Sequence, residues 1–341
     1  MKRIYYLIFT MALIGAYSCS NRQETVIEPL KVNSYDEVEL VEFCDTVWKL
    51  SDLFGYQIPL GEISKIRINS DAIYLIEHNL FSSATLKKID LKNKTITKIG
   101  QVGKGPEEYI DCFDFSVLPN GVIAIFDNTS NKLNYYNSEG KFIRTFSIPF
   151  YMVQFEFIDT SSFIALCYEP HEGRIMAYNY YTKQKTFSSD KMFNEDEDFE
   201  VPKVFTKLND TIFYVIPGDN TVYSFCNSKA KPYISFDFNS HNLDEKFYKL
   251  TDFNERNHYF IKNELCMISQ LHKTSNFFFI NFLMGNKNNF LVIKERKAIA
   301  RINSFKYEGE SLDLPISIAG NLMIFYDDNT GDLVFGKLKN N

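Results

Sequence analysis

Phe113-Asp-Phe-Ser-Val117, the turn at Pro119-Asn-Gly121 and the return Val122-Ile-Ala-Ile-Phe-Asp127 state the fold in one line. Polar and apolar residues alternate along the first arm, a Pro-Asn-Gly turn reverses the chain, and β-branched and aromatic residues fill the second arm. That is the pattern of a β-hairpin with a buried face. The unit recurs. Residues 63–68 turn through Asn69-Ser-Asp71 into Ile73-Tyr-Leu-Ile76, Phe155-Glu-Phe-Ile158 leads to Phe163-Ile-Ala-Leu166, and Val204-Phe-Thr-Lys-Leu208 leads to Ile212-Phe-Tyr-Val215. With second strands taken to start at Ile73, Val122, Phe163, Ile212, Phe290 and Leu322, the repeat is blade-sized, roughly 40 to 50 residues, apart from one long step after Ile212 and a short last one. About four strands per copy at that period specify an all-β, six-bladed β-propeller.

Two irregularities refine the reading. From residue 241 to 270 the period of two gives way to helical spacing (Leu243, Phe247, Leu250, Phe253, then Phe260, Leu265 and Met267), which predicts a short helical insertion in the fifth repeat. After Leu312 the chain has room for only three more strands, so the last blade lacks one. Val38-Glu-Leu-Val-Glu-Phe43 is the predicted substitute, closing the ring with strands from both ends and hiding its open edges.

The N-terminus gives an address. Lys2 and Arg3 precede an apolar run from Ile4 to Ala16, shorter than the roughly 20 residues a membrane-spanning helix needs, and small residues lead to Cys19. Ala16-Tyr17-Ser18-Cys19 resembles the lipobox of bacterial lipoproteins, with an ordinary secretory cut as the alternative. The expected organisation is a signal peptide over 1–18, lipid attachment at Cys19, a tether over 19–35 and the propeller over 36–341. Ser20-Asn-Arg-Gln-Glu24 has no dense acidic export tag, which favours the periplasmic side of the outer membrane over the cell surface.

The formal charge of −6 becomes more negative once Lys2 and Arg3 are removed, and no basic stripe is present, so nucleic acid is excluded as a partner and membrane attachment rests on lipid. The remaining cysteines, at 44, 112, 167, 226 and 266, are odd in number and lack CxxC spacing. They read as buried free thiols, one disulfide being the alternative. Histidines at 78, 171, 241, 258 and 272 show no zinc spacing, the acidic stretches 195–200 and 327–332 lack the EF-hand pattern, and no Gly-x-Ser-x-Gly elbow exists. No cofactor and no metal is expected.

Gly100-Gln-Val-Gly-Lys-Gly-Pro-Glu-Glu-Tyr109, followed by the Phe113 strand, Asp127 and the hairpin at residues 137–142, resembles the interblade segment of a large family of six-bladed propeller lipoproteins, related in style to NHL propellers. Glu107 stands where that family usually has glycine. The resemblance implies an extracytoplasmic propeller with a binding role and no catalytic residues to carry across. The segment is not a phosphate loop, since Gly-Pro rather than Ser or Thr follows its Gly-Lys. It reads as an interblade bend over the channel mouth, and its side chains nominate a ligand surface of Lys104, Glu107, Tyr109, Asp111, Asp127 and His171. Tyrosines 135, 136, 151, 168, 178, 180 and 181 read first as interblade packing and second as stacking platforms. Three functions fit the sequence: a non-catalytic module binding a glycan, peptide or envelope protein; a glycan-active hydrolase or lyase with carboxylates converging over the channel; or a structural envelope component with a large apolar rim patch.

Overall fold

The computed structural model describes residues 25–69, 72–79, 82–118, 120–167, 174–189 and 203–339. The signal peptide, Cys19 and His171 lie outside them. Six sheets stand around a channel, each an antiparallel meander that runs outward from an inner strand. The inner strands are Glu62–Asn69, Asp114–Val117, Met152–Phe157, Phe205–Leu208, Cys266–Lys273 and Ser317–Ala319, numbered here as blades one to six. Five of the six seams are visible as direct approaches between neighbouring inner strands, from blade two around to blade one.

The ring is closed by the N-terminal segment, but one segment later than the sequence suggests. Cys44–Lys49 is the outer strand of blade six, antiparallel to Asp332–Leu338, with Val47 opposite Gly336. The predicted closing strand, residues 38–43, is divided. Val38 and Glu39 end the strand Ser34–Glu39, which runs parallel to the outer strand Lys297–Tyr307 of blade five, and Leu40–Phe43 is a single helical turn. Leu40 and Cys44 are buried at the two ends of this turn and so fix where the chain crosses from one blade to the next. Thr25–Ile27 lies parallel to the outer strand of blade four, with Thr25 opposite Ile234. The N-terminal segment therefore belts blades four, five and six in succession. Residues 25–35, expected in the tether, belong largely to this belt.

The helical insertion is present between the last strand of blade four and the first of blade five. Helices Glu245–Lys249 and Phe253–Lys262 are capped by Asp244 and Asp252, whose carboxylates accept from Phe247 N at 2.8 Å and Glu255 N at 2.9 Å. Phe247, Phe260, Leu265 and Met267 give it a small core of its own. The predicted range overran, because 266–270 already belongs to an inner strand. Phe290 marks the third strand of blade five, not the second, which is Phe277–Met284.

Aromatic rings fill the seams between blades. Tyr135, Tyr136, Tyr178 and Tyr180 are buried, Phe146 and Tyr180 lie 4.7 Å apart, and only Tyr151 and Tyr181 of the described candidate platforms are exposed. Packing thus claims most of these rings. The five described cysteines are free, four of them buried and Cys226 half-buried. Burial pushes the Cys44 and Cys266 thiols up to about 12, which keeps them protonated and unreactive. Among the described residues no helix is long and apolar enough to cross a membrane.

Candidate functional site

A six-bladed ring brings the alternate residues of its inner strands toward one axis, and in this chain those residues are polar. Lys65 and Arg67 come from blade one, Asp114 and Ser116 from blade two, Gln154 and Glu156 from blade three, Thr206 from blade four, Gln270 and His272 from blade five. They are joined into a girdle. Lys65 pairs with Asp114, whose other oxygen accepts from Phe155 N at 2.8 Å. Arg67 reaches past blade two to pair with Glu156, which also accepts from Ser116 Oγ at 2.9 Å. Gln154 accepts from Val204 N at 3.0 Å, and Lys207 donates to Phe157 O and Ile158 O at 2.8 and 3.0 Å.

Beyond blade four the girdle turns on histidine. Lys203 Nζ lies 3.0 Å from His272 Nδ1, and Ile318 N donates to the same nitrogen at 3.2 Å. With two donors aimed at Nδ1, the imidazole is the neutral form bearing its proton on Nε2, which faces Gln270 Oε1 at 3.3 Å. Burial, and then the Lys203 ammonium, hold His272 well below its usual range. Burial pushes Lys203 down to about 7, assisted by the Arg67 guanidinium and opposed by Glu156. For Glu156 burial acts upward, but the charge and hydrogen bond of Arg67, with Ser116 and Lys65, outweigh it and hold the carboxyl below its ordinary value.

Above the girdle, at the C-terminal ends of the inner strands, the channel opens into a funnel of about 330 Å³. All six blades line it, with Arg67, Lys203, Lys207 and Lys273 as cations and Glu156 as the one carboxylate among the described residues. Lys207 and Lys273 hold only main-chain oxygens, Lys273 those of Thr274 and Phe277, so no carboxylate among the described residues neutralises either. A chain of net negative charge thus concentrates positive charge at one mouth.

The described residues nominated from the sequence, Lys104, Glu107, Tyr109, Asp111 and Asp127, lie at the other end. The segment 100–113 joins the outer strand of blade one to the N-terminal end of the inner strand of blade two, the end opposite the funnel. Lys104 and Glu107 are exposed there, while Tyr109 is fully buried, donating to Ile99 O at 3.3 Å. Asp111 accepts from Ala84 N, and Asp127 ties Ile110 N, Thr129 N and Ser130 into a turn. Tyr109, Asp111 and Asp127 are therefore occupied in holding the interblade bend. Gly100 explains itself in the same way: its φ is +67°, and a Cβ there would sit 2.7 Å from the Tyr136 ring. The helical insertion shares this face, since Tyr248 donates to Gly218 O and Gly285 N to Leu265 O, and so it does not frame the funnel.

Sequence reasoning missed Lys65, Arg67, Asp114, Glu156, Lys203, Lys207, His272 and Lys273. A signal existed: the inner strands of blades one to five carry a charged or amide residue where an interior strand should be apolar, as in Ile63-Ser-Lys-Ile-Arg-Ile68 and Phe155-Glu-Phe157. Buried polar residues on the strands nearest a ring axis can meet only one another.

Among solved structures, a protein of Bacteroides fragilis described as exported shares the fold with a TM-score of 0.70 and 15% identity, covering 92% of this chain and 100% of its own. A DUF4221 family member from Bacteroides vulgatus follows with a TM-score of 0.53 and 13% identity over 82% of this chain and 92% of its own. At such identities the likeness is one of fold. None of the curated proteins matches the chain. The family described as a domain of unknown function, DUF4934, matches residues 59–336, which takes in every blade, and the chain belongs to that family.

Proposed function

We infer that the protein is an exported propeller, anchored by lipid at Cys19, that binds its ligand in the channel funnel and performs no chemistry on it. The observation behind this reading is the funnel itself, a concave polar site to which all six blades contribute. A glycan-cleaving enzyme would need a second carboxylate there and an acid with a raised pKa, whereas among the described residues Glu156 is alone in the lining and is held down by Arg67. A structural component would present an apolar rim instead of a charged recess. Export and anchoring are supported by the signal-like N-terminus and by the fold relative from Bacteroides fragilis described as exported.

Two measurements test the inference. Exposed Ser275 lines the funnel, and Ser275→Trp should obstruct its mouth. In a thermal-shift screen of glycan fragments and short peptides, compounds that stabilise the wild type should lose most of their shift in this variant. Shifts that persist there would place binding elsewhere. Separately, Cys19→Ser should move the protein from the membrane to the soluble fraction and end incorporation of labelled fatty acid; unchanged membrane recovery would overturn the anchor.

A further inference from the structure

We propose that the funnel is a receptor for the carboxylate or phosphate group of a small ligand, clamped by Arg67, Lys207 and Lys273. The proposal rests on the funnel being the binding site and specifies what it takes. Among the described residues, four cationic side chains face one carboxylate in a recess sized for a sugar unit, inside a protein that is otherwise acidic. Glu156 is hydrogen-bonded to Arg67 and Ser116 and acts on Lys203 through its charge, so it holds neither Lys207 nor Lys273. Lys207 spends two of its donors on Phe157 O and Ile158 O, which fixes the ammonium in place and leaves a third donor. Lys273 is fixed likewise by Thr274 O and Phe277 O. The Arg67 Nε is buried with no partner, an unmet donor in the same lining. Pre-positioned cations with spare donors are what an anion needs, since their hydrogen bonds to an ionised acceptor are the strong kind.

Lys203 couples this binding to protons. Its ammonium faces Arg67 and Lys65 of blade one, Glu156 of blade three and His272 of blade five, with Asp114 of blade two paired to Lys65 behind them. With burial and Arg67 opposing its charge, the side chain is largely neutral at pH 8 and charged at pH 6. An anion in the funnel favours the charged form, so binding draws more proton from solvent onto Lys203 at pH 8 than at pH 6.

Calorimetry on the folded wild-type chain with galacturonate, inorganic phosphate and neutral galactose decides the matter. The carboxylate or the phosphate, whichever is the physiological group, should bind at least about tenfold more tightly than galactose. The combined Lys207→Met and Lys273→Met variant should lose roughly tenfold or more in affinity with its circular dichroism unchanged. The heat of binding at pH 8 should vary with buffer ionisation enthalpy in the wild type and cease to vary in Lys203→Met. Equal binding of galactose and galacturonate, abolished by Ser275→Trp, overturns the anion proposal and keeps the funnel as the site. Anion binding untouched by Ser275→Trp overturns both. No binding of either anion at roughly 10 mM overturns the proposal.

Discussion

Glu156→Leu should destabilise the propeller by about 3–5 kcal/mol, one of the two largest single-residue effects expected in this chain. The carboxylate is buried, and it partners Arg67 across two seams and Ser116 across one. Its loss leaves the guanidinium uncompensated, beside Lys65 and Lys203, with its Nε already lacking a partner. Removing half of such a pair costs far more than removing all of it, so Arg67→Met combined with Glu156→Leu should recover most of the loss. Urea unfolding of the three variants measures this. A single variant within about 1 kcal/mol of wild type would mean that water enters the girdle freely. The same pair shapes the acid limb. Because the folded Glu156 carboxyl titrates below its unfolded value, its contribution is complete above the unfolded pKa and is lost as pH falls through the lower, folded one.

The ring was legible in the sequence because each blade is built from local hairpins, and a hairpin announces itself in alternation and turn residues. The stretch 113–127 folds as read, with Asp114–Val117 and Ile123–Asp127 paired antiparallel. Pairings without a turn announce nothing. Ser34–Glu39 and Cys44–Lys49 both have strand-like composition, and nothing within either stretch says which blade it joins or in which direction, so the closing strand was placed one segment early. The site was obscure for a related reason. Arg67 and Glu156 are 89 positions apart, Lys203 and His272 are 69, and only the closed ring makes them neighbours. The conspicuous Gly103-Lys-Gly-Pro-Glu-Glu-Tyr109 drew attention through its glycines, yet those glycines serve the bend. A Cβ on Gly103 would overlap the Glu108 carboxylate, which accepts from Gly105 N at 2.8 Å.

Ring closure should fail first at Gly336. This residue sits inside the strand Asp332–Leu338, between Met323 of its own blade and Val47 of the closing strand. A Cβ there would lie 2.5 Å from Cys44 Sγ and 3.5 Å from Leu40 Cδ1, the two buried residues that fix where the belt crosses into blade six. Gly336→Val therefore drives a wedge under the closing strand, and the expected cost is about 3 kcal/mol, at the upper end of overpacking because the strand it displaces completes blade six with the N-terminal part of the chain. The chain carries its own reporter. Trp48, the sole tryptophan, stacks on Phe335 with centroids 5.5 Å apart and planes 13° from parallel. In Gly336→Val its emission should shift to the red at lower urea than in wild type, and Cys44, now uncovered, should react faster with a thiol reagent. Cys44→Ala removes the sulfur that the new methyl groups meet, so adding it to Gly336→Val should restore much of the lost stability. A valine variant that melts like the parent, or one that Cys44→Ala leaves as weak as before, would show that the seam between Cys44–Lys49 and Asp332–Leu338 does not hold the two ends of the ring together.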